Sequence, residues 1–347
     1  MDGDGRGRSY IIIGPQAVIP TPVEQGTRFA SPEGEGDACT IDQPCSARTA
    51  IEGAVAGDVV FLRGGNYQID RHLNMSKTGD AITVESYPDE TAVFDNSAHP
   101  YDADIQLLIT GDNYRFRRIE ITGMTRYAGL WIDGNHNLVE GVYSHDQAVS
   151  GFQVTNKGSF NTFRSCVAKN NTGVGLSKVN GGNTDGFMIS KGNANRIESC
   201  AAYSNSDDGI DVWQSTNSYI GYCISAHNGR GNGDGNGIKA GGSFPSNGTL
   251  VEHCLSYLNA TGGIVANSGD CGIFIHNTTW ANGDLDYRAD ASTTVSRCVG
   301  ETSDTNGTQI DNSWNRGVMV EFASTDPDSS DFLVPTNCTD IGAGFRP

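Results

Sequence analysis

Apolar residues in this chain do not recur at helical spacing. They fall in short runs rich in β-branched residues, such as residues 58–62, 82–85 and 105–109, and Gly and Asn break the runs. The runs predict many short strands. Their spacing carries more information than their content. Ser165-Cys166-Val167-Ala168, Ser199-Cys200-Ala201-Ala202, Tyr222-Cys223-Ile224-Ser225 and His253-Cys254-Leu255-Ser256 follow one pattern. An Asn stands five positions after each Cys, at Asn171, Asn205, Asn228 and Asn259. The same register puts Ile119 and Val142 in the Cys slot upstream, and Asn277 and Cys298 downstream. From Ile119 the steps are 23, 24, 34, 23, 31, 23 and 21 residues, so the base period is about 23, with insertions after Asn171 and Asn228. A second marker, Gly followed by a large apolar residue, runs in step at Gly129, Gly151, Gly186, Gly209, Gly237 and Gly263.

A fixed period of this size predicts a solenoid. Recurring Gly and Asn argue against helical repeats, and the period is too short for a four-stranded propeller blade. It fits one coil of a right-handed parallel β-helix, an all-β fold with three short strands and three turns per coil. Equivalent residues then stack about 4.8 Å apart. Small apolar Cys fills a narrow interior, so the ladder cysteines are expected to be reduced core residues. Stacked Asn side chains are expected to hydrogen-bond along a turn. The ends of such a stack must be covered. Residues 46–55 predict a short N-terminal capping helix, residues 1–35 an extended segment and residues 301–347 an irregular tail, all within a single domain spanning 1–347.

Composition agrees with that picture. Gly is 45 of 347 residues, well above the roughly 7% average, without a collagen-like period, which implies tight turns. A formal net charge of −18 argues against nucleic acid as a partner. Surface acid of this kind suits a soluble secreted protein. No stretch reaches membrane-span length. The start lacks an apolar signal core, and the chain is read as a secreted mature form, expected to be a monomer. There are nine cysteines. Cys39 and Cys45 flank a short loop where a disulfide is expected, and Cys271 and Cys338 fall outside the ladder.

The insertions flank an acidic region: Asn183-Thr184-Asp185-Gly186-Phe187, then Ser206-Asp207-Asp208-Gly209-Ile210-Asp211-Val212-Trp213, then Gly235-Asn236-Gly237-Ile238-Lys239. Aligned on the marker Gly, Asp185 stacks on Asp208, and Asp211 on Lys239. Any one of these aspartates alone reads as a turn residue. Four carboxylates in stacked register repel one another unless a cation joins them, and an all-oxygen set suits Ca²⁺. Asp185, Asp207, Asp208 and Asp211 are therefore candidate ligands. A uronic acid in a polymer carries a weakly acidic C5 proton. A metal on its carboxylate eases proton loss, a base removes the proton, and expulsion of the C4 oxygen completes a β-elimination. Lys239 is the candidate base; its alternative is an ion pair with Asp211.

The stretch from Asn183 to Lys239 resembles polysaccharide lyase family 9, the calcium-dependent pectate lyases with a parallel β-helix. The matching pieces are Asn183-Thr184-Asp185-Gly186-Phe187, Lys191, residues 205–211 and residues 235–242. Residues 56–65 resemble the first coil of such lyases, a feature many β-helix proteins share. The resemblance implies that the four aspartates hold Ca²⁺, that Lys239 is the base, and that the substrate is an acidic polysaccharide, with pectate the family default and alginate or another uronate glycan as alternatives. An inverting polygalacturonase-type hydrolase shares the fold and an Asn-Thr-Asp element. It also needs Gly-His-Gly and Arg-x-Lys elements, which are missing near Gly235. A non-catalytic sugar-binding β-helix is the third reading. Lys178, Lys191, Arg230 and Arg288 are candidate substrate cations, each also readable as surface charge. Trp213 and Trp131 each read as a sugar-stacking ring or as the cover of a strand face.

Overall fold

Each coil closes after three strands because a corner residue turns the chain sharply. Ser165, Ser199, Tyr222, His253, His276 and Arg297 each precede a Cys-slot residue with φ between +51° and +56°. Non-Gly residues avoid this left-handed region at a cost of roughly 1–2 kcal/mol each. Recurrence at one corner shows that stacking across coils compensates for it. The computed structural model describes residues 28–100, 103–155, 158–173, 180–242, 248–267, 272–301, 303–326 and 328–337.

The strands form three parallel sheets. The first has twelve strands, from Arg28–Ala30 to Thr308–Ile310. The second has ten, from Leu73–Met75 to Ser303–Thr305, and the third nine, from Gly65–Tyr67 to Thr278–Trp280. The chain visits them in the order second, first, third, and each strand pairs with its counterpart one coil away. The fold is a right-handed parallel β-helix. Inward residues form columns such as Phe152 and Phe187 of the second sheet, stacked at 4.8 Å and 15°, and Phe163 of the first sheet meets both edge-on across the interior. Burying each ring contributes roughly 1.5–3 kcal/mol.

Cys166, Cys200, Cys223, Cys254 and Cys298 are buried and reduced, with Ile119, Val142 and Asn277 in the same slot. The Asn ladder is continuous. Asn171 donates to Asn205 at 2.8 Å, and the chain runs on through Asn228 and Asn259 to Asn282 in steps of 2.9 Å. A second ladder, Asn137–Asn161–Asn195, lines the turn between the second and first sheets.

The ends depart from expectation in detail. Arg28–Ala30, inside the stretch read as extended, pairs in register with Val60–Leu62 as the first strand of its sheet. The helix is shorter than 46–55: it spans Ala47–Glu52, capped by the Ser46 side chain accepting from Thr49 N–H, and buries Ala47, Ala50 and Ile51 against the first coil. The tail is not irregular from its start, because Ser303–Thr305 and Thr308–Ile310 continue two sheets. The Cys39–Cys45 disulfide is present. Cys271, Cys338 and residues 1–27 lie outside the described residues. Among the described residues no helix is long and apolar enough to cross a membrane.

Candidate active site

Three neighbouring strands of the second sheet carry the acidic region: Phe187–Ser190, Ile210–Trp213 and Ile238–Gly241. Parallel pairing aligns Met188 with Asp211 and Asp211 with Lys239. Asp185 and Asp208 occupy the turns leading into the first two strands. The marker glycine is there for space. A Cβ on Gly209 would lie 2.0 Å from Ser225 Oγ and 2.6 Å from Asn228 Nδ2. The turn can pack against the Asn ladder only without a side chain.

All four aspartates are buried. One carboxylate oxygen from each of Asp185, Asp207 and Asp208 lies within 4.8 Å of the others. Asp211 is next to this trio, one strand position along, rather than part of it. The hydrogen bonds sort the four by role. Asp207 is fully engaged: its Oδ2 accepts from Asn183 N–H at 2.6 Å and its Oδ1 from Asp234 N–H at 2.5 Å, so it ties both insertions to the cluster. Asp208 Oδ1 accepts from the backbone and side chain of Asn236 at 2.7 and 2.9 Å. Asp185 Oδ1 accepts from Asp208 N–H at 3.1 Å. Of the remaining oxygens, Asp185 Oδ2 and Asp211 Oδ1 are buried without a hydrogen-bond partner, and Asp208 Oδ2 faces only the Lys239 amine, at 3.2 Å. Bare buried carboxylate oxygens are costly, and a close trio of buried carboxylates with such oxygens in and beside it fits a hard cation with oxygen ligands.

Electrostatics point the same way. Burial, then the charges of Asp211, Asp207 and Asp208, holds the Asp185 carboxyl well above the usual range. Burial and then Asp208 push Asp211 up to about 8. Burial raises Asp208 to about 6, with Lys239 opposing. Burial thus favours the protonated form of Asp185 and Asp211, and a divalent ion would replace those protons.

Lys239 does not pair with Asp211. Its Nζ lies 2.8 Å from Asp234 Oδ2 and 3.2 Å from Asp208 Oδ2. Burial alone would lower its pKa, but Asp208, Asp211 and Asp234 outweigh burial and raise it. Asp234 is a site residue that sequence reading missed. It lies in the second insertion, where no repeat sets the path, and a Gly233-Asp234-Gly235 run reads as a turn.

Of the candidate cations, Lys191 places its Nζ 5.2 Å from the Trp213 ring centroid. Trp213 also lies against Gly242, whose added Cβ would fall 2.9 Å from the indole. The two form one stacked unit beside Asp211. Arg288 stands two strands beyond Lys239 in the same column, through Val265, and the two line an open groove of about 400 Å³. Arg230 is exposed and donates to the His227 carbonyl at 3.4 Å. Lys178 lies outside the described residues. Trp131 is in the second sheet, on the outward column that reaches Asp211.

Comparison with known proteins bears on the fold and the family. The model of the Pel9A-like, right-handed β-helix region matches residues 28–306, most of the chain. Pectate lyase L of Dickeya chrysanthemi is 26% identical, the match covering 92% of this chain and 86% of that protein. The crystal structure of pectate lyase Pel9A superposes with a TM-score of 0.77 at 24% identity, over 89% of this chain and 88% of that one. A rhamnogalacturonan lyase reaches the same TM-score at 21% identity, over 92% and 99%. At these identities the two structures speak for the fold and leave the polymer open. The β-helix and the family match together make this chain a polysaccharide lyase that belongs to the Pel9A-like right-handed β-helix family, polysaccharide lyase family 9.

Proposed function

We propose that this lyase cleaves a uronic-acid polymer, polygalacturonate in the first instance, by β-elimination at the Asp cluster, with Lys239 as the base. The reading rests on one observation: Lys239 Nζ stands 3.2 Å from Asp208 Oδ2, at the edge of a buried cluster in which Asp185 Oδ2 and Asp211 Oδ1 have no hydrogen-bond partner. The relatives named for pectate support the polymer class. Asp185, Asp207, Asp208 and Asp211 would hold the cation, with Asp211 one step outside the tight trio. A bound Ca²⁺ supplies charge neutralisation of the sugar carboxylate, which acidifies the C5 proton, and of the aspartates that keep Lys239 protonated.

The chain's own residues do the rest. Asp234 and Asp208 hold the Lys239 amine over the strand face. Asp207 keeps both insertions in place around it. The Lys191–Trp213 stack gives a flat wall with a positive charge on one side of the site. Lys239 takes the C5 proton, the electron pair forms the C4–C5 double bond, and the C4 oxygen leaves with the departing chain. Action outside the cell accords with an acidic polysaccharide substrate.

The test is the ultraviolet absorbance of polygalacturonate mixed with the protein, with Ca²⁺ and then with EDTA. A rise that EDTA abolishes, and that Lys239→Ala removes, supports the reading. New reducing ends without absorbance would mean hydrolysis and overturn it. Absorbance on alginate or on rhamnogalacturonan but not on polygalacturonate would keep the chemistry and change the polymer.

A further inference from the structure

The second sheet presents one outward column of side chains through the site: Leu108, Trp131, Gln153, Met188, Asp211 and Lys239, paired in register. Each strand step is about 4.8 Å, close to the length of one pyranose unit in a chain. Trp131 is three steps from Asp211, about 14 Å away.

Three features mark the Trp131 end as built for a ring. Trp131 meets Tyr127 edge-to-face at 6.2 Å and 88°, and Tyr127 meets His72 in the same way at 6.1 Å and 73°. Tyr127 is held by its hydroxyl, which donates to Asp104 at 2.7 Å, with the Arg126 guanidinium 5.4 Å from its ring centroid. Trp131 Nε1 donates to Asp133 at 3.4 Å, which fixes the indole in its own strand. Second, Trp131 is only partly buried, so a ring face remains for a ligand. Third, Gln153, one step nearer the cluster, has a buried side-chain carbonyl oxygen without a partner. An unmet acceptor beside an aromatic wall, on the line that leads to the cluster, suits a hydroxyl donor together with a flat apolar ring face. A pyranose offers both.

Resting on the reading above, we propose that Trp131 and Gln153 form a distal sugar subsite about three units from the point of cleavage, with Trp131 stacking on the ring and Gln153 Oε1 accepting from a hydroxyl. The occupant is a unit of the same uronate chain, laid along the helix axis over the second sheet. The subsite reads the ring rather than the carboxylate.

Calorimetric binding to the Lys239→Ala protein in Ca²⁺, using trigalacturonate and octagalacturonate, tests this. Added Trp131→Ala should weaken octamer binding roughly five- to tenfold, as loss of one aromatic stack implies, and leave the trimer unchanged. Trp131→Phe should restore most of the loss, and Gln153→Leu should weaken the octamer alone. Equal losses for both oligomers, an unmoved octamer, or no binding of either oligomer would overturn the subsite. Failure of the lyase reading would appear separately, as octamer binding intact in a wild-type protein that yields no unsaturated product. Thermal unfolding of each variant shows that the fold is kept.

Discussion

Asp207 accepts the backbone N–H of Asp234 at 2.5 Å, and Asp234 in turn accepts from Lys239 at 2.8 Å. A carboxylate in the acidic cluster thus fixes the loop that holds the amine. The other Asp207 oxygen takes Asn183 N–H, so one side chain fastens both insertions. Charged hydrogen bonds of this kind contribute roughly 1.5–3 kcal/mol each. Asp207→Ala should therefore cost roughly 2–4 kcal/mol and speed proteolytic cleavage within 229–235. Melting and limited proteolysis check this. A variant with wild-type melting and protection would show that the clamp is idle.

Lys239→Ala should lower the turnover rate by roughly 10²–10⁴, the span of a lost general base, while melting in Ca²⁺ stays near that of the parent. Rates on polygalacturonate, with the melting curve alongside, decide it. A loss below tenfold would reassign the base.

Cation binding should become more stabilising as pH rises. Asp211 is pushed up to about 8 and Asp208 to about 6, chiefly by burial. A carboxyl with a raised folded pKa favours the fold while protonated. That contribution is complete below the unfolded value of about 4, and it is lost as pH climbs through the folded values. Ca²⁺ replaces the departing protons. The melting difference between Ca²⁺ and EDTA should grow from pH 5 to pH 8 and shrink below pH 5. A difference that is flat or falling over that range would mean that the cluster does not bind the ion.

The Asn ladder should be most sensitive in its middle. Asn228 donates to Asn259 at 2.9 Å and to Ser225 at 3.0 Å, and accepts from Asn205 at 2.9 Å. Asn282, at the ladder's end, passes its amide to Ser256 and Asp286. Asn228→Ala should cost roughly 2–4 kcal/mol, since it strands a buried donor as well as losing its own bonds, and Asn282→Ala clearly less. Chemical denaturation of the two variants compares them, and equal costs would refute the ladder as a cooperative unit.

The sequence carried the repeat because the interior is narrow. One small buried residue per coil, at Cys166, Cys200, Cys223 and Cys254, made the register readable by eye. Aligning the repeats on the marker Gly sets Asp211 against Lys239, the pairing the sheet has. The same logic stopped at the insertions. Asp234 reaches Lys239 from a loop whose path the repeat does not govern, and Arg230, in the same loop, turns instead toward His227. The second ladder, Asn137–Asn161–Asn195, escaped notice because no Cys marks its phase. Arg28–Ala30 was illegible as a strand, since its partner Val60–Leu62 lies about thirty residues away, with a disulfide loop and a helix between.

The outward column from Leu108 to Lys239 places one residue per coil. It works as a ruler graduated in sugar units. Adding or deleting a whole coil between Trp131 and the acidic cluster would shift the far contact by one graduation and leave the reacting groups in place. Preferred substrate length in such a molecule is therefore an integer that can be edited.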